Sequence, residues 1–220
     1  MSAAALLHRI GRGDVRLGTP GVPPAPRLPT GLDAVDALLD GGLPRGRLSE
    51  VVGRRSAGRT ALATAVAARA TRAGETVAWV DPGDHLDPER CAAADACLAR
   101  LLWIRPRTAV DALRAAEIAL DAGGLGLVVL DLDPDVPRVS AGLWARLGRA
   151  AERTLGVVLV LAPAPTAGGS ALALDVAARR VRWSRGPDRL ALLDGIDVAV
   201  TVTRSRTGRA GRSAVARVAA

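Results

Sequence analysis

The sequence predicts an α/β domain with a mostly parallel central sheet, helices on both faces and an antiparallel extension. Three observations predict it. Residues 53–60 read GRRSAGRT, with apolar Leu48, Val51 and Val52 before them and an alanine-rich run from Ala61 to Thr71 after them. That order is a strand, a tight glycine turn and a helix. Strand and helix patterns then alternate through the middle of the chain, and strand patterns alone close it. Finally, Leu125 to Asp131 (LGLVVLD) is an apolar run of strand length ending in a carboxylate, the pattern of a strand buried on both faces.

Residues 2–10 predict a short helix, and Gly18 to Pro29 a Pro/Gly-rich linker. Residues 1–29 thus lead into one core domain over 30–220. Thr30 is placed to cap a helix whose apolar face is Leu32, Val35, Leu38 and Leu39. Gly41 to Gly46 (GGLPRG) turns the chain into the strand that feeds residues 53–60. Beyond the alanine-rich helix, Thr76–Asp81 predicts a buried strand, Asp87–Arg100 a helix, Leu101–Ile104 a short strand and Thr108–Asp121 a helix. After the Asp131 strand come a helix over Ser140–Thr154 and a strand over Val157–Leu161. Further strands are expected around Val181, Leu190–Leu193 and Val198–Val202.

The chain has 220 residues, 49% of them hydrophobic, enough for one compact core. All 30 basic residues are arginine, and Lys, Phe, Tyr, Asn and Gln do not occur, as very GC-rich coding sequence produces. No apolar run is long enough to span a bilayer, and Ala3–Leu7 is too short for a secretory segment. A cytoplasmic protein with no membrane partner is expected. Cys91 and Cys97 are read as two small core thiols, and His8 and His85 lack metal-ligand spacing. A net charge of +8 invites nucleic acid, yet the arginines are scattered among acids. Only Arg204, Arg206, Arg209, Arg212 and Arg217 form a basic run, either a solvated tail or a non-specific DNA contact. Trp79, Trp103 and Trp183 fall in strand patterns and are read as core.

Residues 53–60 have the frame of the phosphate-binding loop G-x-x-x-x-G-K-[ST], with Arg59 at the lysine position. Such a loop turns successive backbone N–H groups inward around a phosphate; the cation reaches terminal oxygens and the hydroxyl ligates Mg²⁺. Gly53, Ser56, Gly58, Arg59 and Thr60 are therefore candidate nucleotide-binding residues. Thr60 and Asp131 are candidate Mg²⁺ ligands, Asp131 through the ion's water shell. Arginine is a branched, planar cation and no neutral substitute for lysine. ATP with Mg²⁺ is the cofactor so implied, with hydrolysis in doubt.

Over almost its whole length the chain resembles RecA. The resemblance is carried by Gly11–Gly18 (GRGDVRLG), Thr30-Gly31 with Gly41–Gly46, the phosphate loop and Val80–Pro88 (VDPGDHLDP). It continues through Arg105-Pro106, the Asp131 strand, Thr166–Leu172 (TAGGSAL) and Val202–Arg206 (VTRSR). It implies a RecA-like core fold. It also implies a place for Arg204 and Arg206 where RecA's paired lysines reach a neighbour's ATP; the basic-tail reading of these two stays open beside it.

The departures carry equal information. RecA's water-positioning glutamate falls at Gly83, with Asp84 beside it a weak candidate base. The γ-phosphate-sensing glutamine falls near Pro163, and the adenine-stacking tyrosine at Arg90. With Arg59, four parts of the ATPase are changed. The first DNA loop is cut to a Pro-rich turn over Leu132–Val139, the second is shortened before Thr166, and no counterpart of RecA's C-terminal domain is seen. A RecA-like core so altered is most similar to the ImuA family, RecA-related accessories of damage-induced translesion mutagenesis. That resemblance implies an adaptor or RecA regulator with little or no ATP hydrolysis, partnered by RecA or an ImuB-type polymerase accessory. A weak DNA-stimulated ATPase and a non-specific DNA-binding protein are the alternatives.

Overall fold

The computed structural model describes residues 26–132, 139–185, 191–206, 208 and 210–219. The expected helix over 2–10, the Gly11–Gly18 segment, most of the Leu132–Val139 turn and Arg209 lie outside the described residues.

Two sheets are formed. β1 (Arg27–Leu28) pairs antiparallel with β2 (Leu43–Pro44), so the end of the expected linker is a strand. The main sheet has eight strands. They are β3 (Leu48–Val52), β4 (Thr76–Val80), β5 (Leu101–Ile104), β6 (Leu125–Asp131), β7 (Val157–Ala162), β8 (Leu172–Arg185), β9 (Ala191–Ser205) and β10 (Ser213–Ala219), in spatial order β10-β9-β8-β3-β7-β6-β4-β5. From β8 to β5 every neighbouring pair is parallel; β8–β9 and β9–β10 are antiparallel. The expected mixed α/β architecture is therefore observed.

Period-two alternation splits the strands between two apolar layers. Val77, Trp79, Leu127 and Val129 face α2 (Arg59–Arg72), where Leu62, Ala63 and Val66 are buried. Ala78, Val80, Val128 and Leu130 face α4 (Ala109–Asp121) and α5 (Ala141–Thr154), meeting Leu113, Leu120, Trp144 and Leu147. Two short helices, α1 (Asp33–Leu38) and α3 (Pro88–Ala93), are the others among the described residues.

Several expectations are corrected. The N-cap of α1 is Leu32 without a side-chain bond. Asp36 closes that corner instead, its Oδ1 accepting from the Thr30 N–H at 2.7 Å and the Thr30 hydroxyl at 2.8 Å. The helix expected over 87–100 stops at Ala93 because Asp95 adopts φ 64°, and a 3₁₀ turn over Leu98–Arg100 follows. Cys97 is consequently exposed while Cys91 is buried. Trp183 is 62% exposed on β8, and Trp103 only partly buried. The supposed basic tail is folded: β10 pairs with β9, Arg217 is bonded to Asp194, and Arg212 lies 3.7 Å from Asp40. Among the described residues no helix is long and apolar enough to cross a membrane.

Candidate functional site

β3 ends at Val52 and α2 begins at Arg59, so the six residues between them form the loop. Its turn needs two left-handed positions, Ser56 at φ 61° and Gly58 at φ 98°. Glycine is required at 58 on a second ground. A Cβ there would lie 2.5 Å from Val198 Cγ2 on β9. The first N–H groups of α2 have no intrahelical acceptor and point out of its N-terminus, a setting that favours anions.

A cleft of about 350 Å³ opens on this terminus, its wall including Ser56, Arg59, Thr60, His85, Arg90 and Asp131. The structure thus brings together Ser56, Gly58, Arg59, Thr60 and Asp131 on one cleft, as the spacing predicts. Gly53 lines a second cleft, shared with Ser56, Pro163 and Asp175. Proline offers no side-chain donor there.

Arg59 supplies an observation that spacing does not. Its Nη1 is buried and has no hydrogen-bond partner among the described residues. A guanidinium stays protonated in proteins, so a buried, unbonded N–H on it is costly until an anion reaches it. The residues present therefore fit a phosphate group: loop amides and Arg59 to hold it, and Thr60 and Asp131 on the same cleft to hold Mg²⁺.

The other candidates are placed differently. Asp84 is exposed and turned to Arg105, 3.4 Å from its Nη1; the cleft wall takes His85 instead. Gly83 explains why. A Cβ at 83 would overlap Cε1, Nδ1 and Nε2 of His85, so the imidazole lies where a side chain at 83 would begin. His85 in turn faces Asp81, its Nδ1 4.0 Å from Asp81 Oδ1. Asp81 is fully buried, and its Oδ2 accepts from Leu86 N–H at 2.8 Å and Trp103 Nε1 at 3.3 Å. Sequence reasoning missed His85 and Asp81. The available signal was their i, i+4 spacing at the end of a strand adjoining the Asp131 strand.

Arg204 lies at the end of β9 and Arg206 directly after it. Arg204 Nη2 donates to the Ser170 hydroxyl and stands 3.9 Å from Glu50 Oε2, contacts within its own chain; the Arg206 side chain is exposed. Glu50 is fully buried in β3, and its Oε1 accepts from Thr166 N–H at 2.6 Å and Ala167 N–H at 2.8 Å. It ties the 163–171 segment to the strand that feeds the phosphate loop.

Comparison with known proteins agrees with this arrangement. Protein RecA of Clavibacter michiganensis subsp. michiganensis is 37% identical over 164 residues, covering 69% of this chain and 45% of that protein. Protein RecA of Salinispora arenicola is 37% identical over 171 residues, covering 72% and 49%. The chain thus spans about half the length of the curated relatives it matches. The crystal structure of the RadB recombinase superposes with a TM-score of 0.66 at 19% identity, covering 86% of this chain and 94% of the other, a likeness of fold. The RecA N-terminal domain family matches residues 5–141, and with the loop, the Asp131 strand and the sheet order in place, the chain belongs to that family.

Proposed function

We propose that this chain is a RecA-family accessory of the DNA-damage response, which binds a nucleotide phosphate and hydrolyses ATP slowly or not at all. The observation that carries the reading is Gly83. Where the family's water-positioning glutamate falls, this chain has no side chain, and the His85 ring fills the space. Loss of a positioned carboxylate at such a site costs orders of magnitude in rate, whereas the anion-binding features around Arg59 and the α2 terminus are kept.

The roles assigned are these. Backbone amides of residues 53–60 and Arg59 hold the phosphates, Thr60 and Asp131 hold Mg²⁺, and the planar guanidinium of Arg90 lies against the base. Bound nucleotide acts as a structural ligand that orders the cleft. Arg204 and Arg206 meet a neighbouring RecA-like protomer, for which Arg204 must leave Ser170 and Glu50. A protomer with one working junction and one altered nucleotide site would cap or perturb a RecA filament, or dock on an ImuB-type polymerase accessory.

The presence of His85 on the cleft beside Asp81 favours one second reading, a weak DNA-stimulated ATPase. ATP turnover by purified protein, with and without single-stranded DNA, separates the two, alongside Arg59→Lys, Asp84→Ala and His85→Ala. Absence of turnover, with nucleotide binding retained and RecA strand exchange altered, is the expected result. DNA-stimulated turnover abolished by His85→Ala or Asp84→Ala would establish the enzyme instead. Unchanged strand exchange together with no association with RecA or ImuB would end the accessory reading.

A further inference from the structure

Three side chains of ligand type meet at the carboxyl ends of β4 and β6. Asp81 follows β4, Asp131 closes β6, and the strands are parallel neighbours with Val80 beside Leu130. Equal register sets the two carboxylates next to each other, and the loop after Asp81 brings His85 back to them. One oxygen from each aspartate and one ring nitrogen lie within 4.8 Å of one another. Asp131 stands far along the chain from Asp81 and His85, so strand pairing is what brings it to them.

A second observation points to a ligand. Asp81 is fully buried, both N–H donors bound to it reach Oδ2, and its Oδ1 has no hydrogen-bond partner among the described residues. That bare oxygen is directed at His85, 4.0 Å from Nδ1. A buried carboxylate oxygen without a donor is unfavourable, and a second buried carboxylate beside it adds repulsion. A cation between the two removes both costs.

The geometry points to a divalent-metal site made by Asp81, His85 and Asp131, selective for a borderline cation such as Zn²⁺ or Co²⁺ over Mg²⁺. One imidazole and two carboxylates suit such ions, whereas Mg²⁺ prefers oxygen and water alone. Bonds of about 2.0–2.2 Å place tetrahedral ligands about 3.4 Å apart. Side-chain shifts of up to about 1.4 Å close the observed spacing to that value. His85 and Asp131 also line the cleft that Thr60 lines, so water or a phosphate oxygen can reach an ion held there. Gly83 is part of the design, because any Cβ there would push the ring off the two acids. Only Asp131 is shared with the Mg²⁺ pair, and the inference does not depend on nucleotide binding.

The test uses the full chain, freed of metal by chelator, with no nucleotide. Co²⁺ is titrated by visible absorption and Zn²⁺ by calorimetry, against millimolar Mg²⁺. One ion per chain is expected, undisturbed by Mg²⁺. His85→Ala should weaken binding by more than about 100-fold, since even outer-shell partners of a metal ligand are worth about 10–100-fold. His85→Gln keeps bulk over the acids and serves the same purpose should His85→Ala lose its fold. The chain's other histidine and its exposed thiol supply the controls: His8→Ala and Cys97→Ser should bind as the parent does. Binding indifferent to His85, binding lost with His8 or Cys97, or none at micromolar metal would each overturn the site.

Discussion

Glu50 is the residue whose replacement the structure prices most directly. Its buried carboxylate receives two backbone N–H groups from a segment more than a hundred residues away, at 2.6 and 2.8 Å. Glu50→Gln keeps shape and one acceptor oxygen but removes the charge. Hydrogen bonds to a charged group contribute about 1.5–3 kcal/mol each, roughly twice a neutral bond, so two bonds halved cost about 2 kcal/mol. Glu50→Ala leaves Thr166 N–H and Ala167 N–H without an acceptor and opens a void. The loss is then about 3–6 kcal/mol. For a chain of this size 1 kcal/mol moves Tm by about 2–4 °C, so the glutamine variant should melt about 4–8 °C lower. Urea unfolding gives both values, and limited proteolysis reports whether residues 163–171 loosen first. A glutamine variant within about 0.5 kcal/mol of the parent, or an alanine variant no worse than glutamine, would refute the assignment of this tie.

Gly58→Ala forces φ 98° on an alanine and drives its Cβ against Val198; a destabilisation of about 1–3 kcal/mol and lost binding of a fluorescent ATP analogue are expected. Burial, and next the charge of Asp87, raise the Cys91 thiol above its ordinary value, with Thr64 opposing, while Cys97 is exposed. One fast equivalent of an aromatic disulfide reagent should react with native protein and a second only in denaturant; two fast equivalents would contradict the buried position of Cys91. The hydrogen bond from Arg182 holds the Asp197 carboxyl below the usual range, at 2.6 Å between Nη2 and Oδ2. A folded value below the unfolded one gives stability that is complete above about pH 4 and fades as pH falls through the folded value. Arg182→Ala should therefore flatten the acid limb of a stability–pH curve.

Much of the framework was legible because the buried strands are pure apolar runs bounded by breakers. Leu125–Asp131 is observed with the predicted limits, and α5 starts directly after Ser140. What escaped notice depends on weak or non-local signals. β10 does alternate, Ala216 and Val218 inward and Arg217 outward, but small residues carry little contrast and its arginines suggested a tail. Asp95 ends α3 by adopting a left-handed conformation that nothing in its neighbours requires. The loop residues and Asp131 were found because their roles are written in local spacing. His85 was not, because a lone histidine four residues after an aspartate acquires meaning only when β4 lies against β6.

Gly83 and His85 are better understood as one change than as two. Were Gly83 a plain open turn, the space beside its Cα would belong to solvent. Instead the imidazole occupies it, and a Cβ restored at 83 overlaps three ring atoms. Gly83→Glu alone should therefore displace His85 and destabilise the chain, while Gly83→Glu with His85→Ala should be tolerated. Contacting residues couple by about 0.5–3 kcal/mol, so a double-mutant cycle on urea unfolding resolves the difference. If the single variant is as stable as the double, the ring does not own that space. If coupling is found, a side chain at 83 and the His85 ring compete for one space. The ring is then held in place over Asp81 and Asp131 by the absence of a side chain at 83, and the Arg59 guanidinium, its Nη1 unbonded among the described residues, lies on the same cleft as that imidazole.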